Sequence, residues 1–257
     1  MVTGSSPMKS SRIRLGGTAR SLEDVKTLHE LGLSVMEIPI QDPKAFAPQV
    51  ASYRLLKEDL VLDFLCHGPR EGDPNDREGL EKKYLPKILS LLPLMESLGM
   101  SLLTIHLWLD PRFVHKEILD YKETFLRRIL IETGKKGITL CIENLSEDAS
   151  AVKRFFRNLS DLNLTLDLGH GELLSTMNTC YSFIDTMPDR IRHVHLHDNR
   201  GGESYLDDLH LIPGEGTIDL KDILRKLMAT GYERTLTLEL KPAEIGECLE
   251  RVQSWLQ

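Results

Sequence analysis

Short runs rich in Leu, Ile, Val and Thr alternate with helical patterns along nearly the whole 257-residue chain. The strand-like runs are RIRLG (12–16), SVMEIPI (34–40), LVLDFLCH (60–67), SLLTIHL (101–107), ITLCIEN (138–144), LNLTLDL (162–168), IRHVHLHD (191–198) and RTLTLEL (234–240). Aliphatic and β-branched side chains pack well on a pleated surface, so these runs read as strands. A parallel neighbour can be reached only through a long crossover, so strand-then-helix order implies a parallel sheet. Eight such units in a chain of this length predict a single-domain α/β fold, the (β/α)8 TIM barrel. A doubly wound open sheet is the rival. It would carry a Gly-rich phosphate turn after its first strand, and GGTAR (16–20) is a poor version of one.

The helical stretches carry their own punctuation. SLEDVKTLHELG (21–32) opens on Ser21 as N-cap and stops at Gly32. The stretch 77–99 contains Pro86 and Pro93, which predict a kink or a break. The stretch 111–137 is basic in its second half, as suits a helix C-terminus. DASAVKRFFRNLS, GELLSTMNTCYSFIDTM, DLKDILRKLMATG and PAEIGECLERVQSWL complete the series, with Asp219 as a cap. Residues 1–10 read as a disordered lead-in, and 11–257 as the barrel.

Apolar residues make up 41% and charged residues 28%, the balance of a globular domain. Apolar runs such as ILSLLPLM (88–95) are too short to span a bilayer. The scattered cysteines (Cys66, Cys141, Cys180, Cys248) form no CxxC pair, which argues against a disulfide framework or a thiolate zinc site. The expected compartment is the cytoplasm. A net charge of −7 argues against a general nucleic-acid binder.

Barrel active sites lie at the C-terminal ends of the strands. Strands three to eight end on or near His67, His106, Glu143, Asp167 with His170, His195, and Glu239; Asp208 and His210 lie in the loop after the seventh. Each residue alone reads as an ordinary hydrogen-bonded side chain. Together they would crowd carboxylates into one cavity, which costs several kcal/mol per buried ion. Divalent cations would remove that cost. An imidazole–carboxylate set without Cys suits zinc, manganese, iron or cobalt better than calcium, with zinc or manganese the first expectation. In HVHLHDN (193–199) the histidines alternate, so they leave the strand on one face. His193 is expected deeper, supporting a ligand carboxylate. His197 is expected at the rim, against substrate or water.

The pieces LCHGP, TIHL, CIEN, LDLGH, HVHLHDN, DLHLIPGEG and LELKP, from about residue 60 to 242, resemble the xylose-isomerase-like TIM-barrel superfamily. Its members include endonuclease IV and many sugar isomerases and epimerases. By resemblance to endonuclease IV, His67, His106 and Glu143 would hold one ion. Glu143 would bridge to a second, held also by Asp167, His195 and Glu239. His170, Asp208 and His210 would hold a third. Sugar isomerases typically use the smaller set Glu143, Asp167, His195 and Glu239. The likeness therefore implies one to three divalent ions.

The full ligand set narrowly favours phosphoester hydrolysis, in which clustered ions polarise the phosphate and generate hydroxide. The alternative is a sugar or sugar-phosphate isomerase or epimerase with one principal ion. There Glu143 and Glu239 would shuttle a proton on and off carbon. DNA is a poorly supported substrate, since GPREGDP after His67 and LDLGH depart from endonuclease IV and no DNA-gripping loop is recognisable. A small sugar or phosphoester fits better. Arg70 and Arg200 in mouth loops are candidates to meet it.

Overall fold

The structure is a computed structural model that describes residues 13–257. The expected lead-in at 1–10 lies outside the described residues. Eight parallel strands close into a barrel in chain order, each paired with its sequence neighbours and the last with the first. They are β1 (Arg14–Thr18), β2 (Val35–Pro39), β3 (Asp63–His67), β4 (Leu102–Ile105), β5 (Thr139–Glu143), β6 (Asn163–Asp167), β7 (Ile191–Leu196) and β8 (Thr235–Leu238). Each falls on one of the predicted runs; β1 starts later and reaches two residues past its run, to Thr18, and the others are trimmed by a residue or more. No helix among the described residues is long and apolar enough to cross a membrane.

The sequence punctuation acts as expected. Ser21 Oγ accepts the Asp24 N–H at 3.1 Å, and Gly32 takes φ +86°. Asp219 caps Leu220–Ala229 by accepting the Asp222 N–H at 3.0 Å. The predicted kink near Pro86 takes a definite form. A π-helical turn at Leu80–Tyr84 precedes the α-helix Leu85–Ser97, which runs through Pro93. Proline clashes with the carbonyl four residues back, and a wider turn gives its ring room. The second crossover, Val50–Leu60, was not among the helical stretches read from sequence. Pro43 and Pro48 break the pattern before it.

The main core lies between barrel wall and helices. A second cluster, Val35, Leu65, Leu102 and Cys141, stands apart from it. With period two along a strand, these positions share a face with Glu37, His67, Thr104 and Glu143. An apolar layer thus floors the barrel interior one step below a polar one.

Candidate active site

Glu143, at the end of β5, is the hub of the mouth. Its Oε2 lies 3.2 Å from His67 Nε2 and 3.0 Å from His106 Nε2. Its Oε1 lies 3.0 Å from His170 Nδ1 and 3.4 Å from His195 Nδ1. His195 Nδ1 is also 3.4 Å from Glu239 Oε1 and 3.7 Å from Asp167 Oδ2. Strand register produces this, since Asp167 and His195 are direct partners on β6 and β7. Asn144 clamps the rim by donating to Asp167 O at 2.9 Å and accepting from Asp167 N at 2.8 Å.

Among the described residues five ligand-competent groups emerge, each with its donor atoms within 4.8 Å of one another: His67–His106–Glu143; Glu143–Asp167–His195–Glu239; His170–His197–Asp208–His210; and, sharing His195 with the second, His67–His195–Glu239 and Glu37–His193–His195. All nine ligand candidates read from sequence converge here. Asp208 and His210, two residues apart, meet at 3.0 Å. His210 takes a left-handed φ of +45°, a strained conformation for a non-glycine residue that the surrounding structure must hold in place.

His197 departs from the expectation of a rim residue. It is wholly buried, 3.2 Å from Asp167 Oδ1, and its ring stacks on His210 at 3.9 Å. Gly169 makes the room, because a Cβ there would sit 2.0 Å from His197 Cε1. Nearby, Asp198 Oδ2 accepts the Gly214 N–H at 2.8 Å and Oδ1 accepts the Ile218 N–H at 3.3 Å. A Cβ on Gly216 would strike Asp198 Oδ1 at 2.1 Å, so the glycines of this loop serve close approach to a carboxylate. His193 lies deep, as expected, 2.7 Å from Thr235 Oγ1 and 3.3 Å from Glu37 Oε2.

Glu37, in β2, is the residue that sequence reasoning missed. It is wholly buried and reaches across to β7, 2.9 Å from His195 Nε2. One acidic residue in an apolar strand, VMEIP, was the only available clue.

The electrostatics follow from crowding. Burial opposes ionisation of Glu143, yet His106 and His195 beside it hold its carboxyl well below the usual range. Asp167 is likewise lowered against burial, by His170 and His197. Burial works against charge on His67, but Glu143 outweighs it and raises the imidazole to about 9. His210 is also raised to about 9, burial being overcome by Asp208 and Glu239. Burial wins at His106, which is lowered. Protonated imidazoles are thus the counter-charges to the clustered carboxylates.

Those counter-charges fit poorly. Glu143 Oε1, Asp167 Oδ2, His197 Nε2 and both ring nitrogens of His195 are buried without an aligned hydrogen-bond partner, despite neighbours within 4 Å. Buried polar atoms are seldom left so. Oxygens and ring nitrogens that converge without satisfying one another fit a divalent cation between them.

Two open lobes of about 410 and 950 Å3 lead in, and both are lined by Arg70, His106, His170 and Asp208. Arg70 therefore stands at the entrance. Arg200 does not line either lobe; it reaches Glu215 O at 3.4 Å on the exterior.

The family model described as xylose isomerase-like TIM barrel matches residues 25–256. The fructoselysine 3-epimerase of Escherichia coli O157:H7 is 39% identical over 66 residues. The chain spans less than half the length of the curated relatives it matches: 22% of that epimerase, and 44% of an uncharacterized protein of Methanocaldococcus jannaschii that is 29% identical over 134 residues. Among solved structures, a D-tagatose 3-epimerase-like protein superposes with a TM-score of 0.81 at 20% identity, over 95% of this chain and 97% of the other. The IOLI protein with a bound zinc atom superposes with a TM-score of 0.75 at 14% identity, over 94% and 96%. At such identities these two structures share the fold.

Proposed function

The chain belongs to the xylose isomerase-like TIM barrel family, and from that premise we propose that it is a divalent-metal-dependent epimerase or isomerase of small sugars. The observation that carries this reading is the convergence of Glu143, Asp167, His195 and Glu239 on one point, with acceptor atoms left unpaired. These four would hold the principal ion, zinc or manganese. One curated relative, the fructoselysine 3-epimerase, and one solved structure, the D-tagatose 3-epimerase-like protein, carry epimerase names, which tips the balance away from the narrow sequence-based preference for phosphoester hydrolysis.

A divalent ion in this set would supply a fixed point for two adjacent substrate oxygens and polarise the carbonyl between them. The chain's own residues supply the rest. Glu143, held ionised by its histidines, takes the proton from the carbon next to the carbonyl. The C–H electron pair moves into the carbonyl, giving a planar enediolate. Glu239, whose carboxylate lies within 4.8 Å of that of Glu143, passes a proton taken up from solvent to the carbon, and Glu143 releases its own to solvent. Delivery to the opposite face gives the epimer. Delivery to the neighbouring carbon, with the hydroxyl proton passing to the former carbonyl oxygen, gives the aldose–ketose isomer. Arg70 at the entrance orients the distal sugar hydroxyls.

Incubation with a panel of ketoses in deuterated buffer, with added zinc or manganese, tests this. Deuterium should enter the carbon beside the carbonyl of at least one ketose, together with its epimer or isomer. Turnover of phosphodiesters with no exchange into any sugar would overturn the reading. The outer groups, His67–His106–Glu143 and His170–His197–Asp208–His210, favour a second reading as a multinuclear phosphoesterase. Three tightly held ions per chain would mark it.

A further inference from the structure

Glu37 takes no part in the chemistry of the proposed reaction, yet it is a wholly buried carboxylate beside His193 and His195. Its side chain is 1% exposed, and among the described residues no lysine or arginine neutralises it. A buried carboxylate without such a partner costs several kcal/mol unless hydrogen bonds compensate. Two imidazoles share one of its oxygens: His193 Nε2 at 3.3 Å and His195 Nε2 at 2.9 Å, the second out of line for a full hydrogen bond.

One arrangement of protons satisfies these contacts with neutral rings. His193 Nε2 faces a Glu37 oxygen at 3.3 Å, and a carboxylate can only accept, so in this arrangement Nε2 carries the proton and Nδ1 accepts from Thr235 Oγ1 at 2.7 Å. His195 carries its proton on Nε2 as well, 2.9 Å from the same oxygen though out of line with it. That leaves His195 Nδ1 bare, facing oxygens of Glu143, Glu239 and Asp167 at 3.4, 3.4 and 3.7 Å. A lone pair aimed at three carboxylate oxygens is repulsive unless a cation lies among them.

We propose that Glu37 is the positioning residue of this centre: it fixes the proton of His195 on Nε2, so that Nδ1 is the nitrogen offered to the ion. His193 and Thr235 anchor Glu37 in turn. Carboxylates on the far nitrogen of a metal-binding histidine set its tautomer, ring orientation and basicity. This inference rests on the reading that His195 holds the ion.

The test replaces Glu37 by Leu, which removes both acceptors at similar volume, and by Gln, which keeps one uncharged acceptor. Zinc titration of metal-free protein should show affinity about 10–100-fold weaker in Glu37→Leu and a smaller loss in Glu37→Gln. Nitrogen-15 spectra of the zinc-loaded wild type should show His195 protonated at Nε2, a signal that Glu37→Leu loses or mixes. Unchanged affinity in both variants, or an unchanged His195 spectrum in Glu37→Leu, overturns the inference. Should Glu37→Leu fail to fold, Glu37→Gln decides alone by the same two readings. His195→Ala is the control. Loss of zinc there with no effect at Glu37 refutes only the positioning role. Full zinc binding in His195→Ala refutes the metal site itself.

Discussion

Two buried polar clusters share the barrel mouth, and they differ in how completely they satisfy themselves. The outer brace ties the loops together. Lys122, wholly buried, lies 2.6 Å from Glu71 and donates to Trp108 O at 2.8 Å. Arg112 grips Asp110 and reaches Ser146 O and Leu174 O, both at 2.7 Å. Glu147 accepts the N–H groups of Leu109, Leu145 and Ser146. The brace leaves one oxygen without an aligned bond, Glu71 Oε1, and that oxygen has the Lys122 ammonium beside it; the central cluster sets imidazoles in place of Lys and Arg and leaves Asp167 Oδ2, Glu143 Oε1 and both His195 ring nitrogens unmatched. Charges that answer one another hold a fold together. Charges that converge and fail to answer one another await a ligand.

The sharpest way to break this contrast is to remove the hub. Glu143→Ala should abolish both bound metal and sugar turnover, since three groups of the centre touch it or lean on it. Metal analysis and turnover of the same preparation check this, and full activity would reject the site. Next in size is Lys122→Met in the brace. Stranding Glu71 as an uncompensated buried charge should cost about 3–5 kcal/mol in denaturant unfolding, with metal affinity unchanged. His197→Ala should weaken metal binding or turnover by about tenfold, through Asp167 and the stacked His210. A wild-type result there would return His197 to the periphery.

The smallest effect is in pH. His67 and His210 are raised in the fold to about 9, from an unfolded value near 6.5. Their pairing with carboxylates therefore stabilises the metal-free protein fully below about pH 6.5 and is lost as pH rises through about 9. Thermal melts of metal-free protein should fall over that window. Melts of zinc-loaded protein should fall less, because an ion on Glu143 and Glu239 offsets the carboxylate charge that holds those imidazoles protonated.

The barrel was legible because strand-then-helix order leaves few topologies, and the nine ligand candidates because each ends a strand or sits just beyond one. What was hidden depended on contacts across the barrel. Glu37 looks like one polar residue in an apolar strand until closure brings β2 opposite β7. His197 reads as a rim residue because it follows the strand end. Only the missing side chain of Gly169 lets its ring turn inward. The crossover at Val50–Leu60 was obscured by prolines just before it.

The most direct test is metal content of protein purified without chelator and supplemented with zinc or manganese. The account predicts one tightly held ion per chain in the wild type and none in Glu143→Ala. No metal in the wild type, or the same content in both proteins, would contradict it.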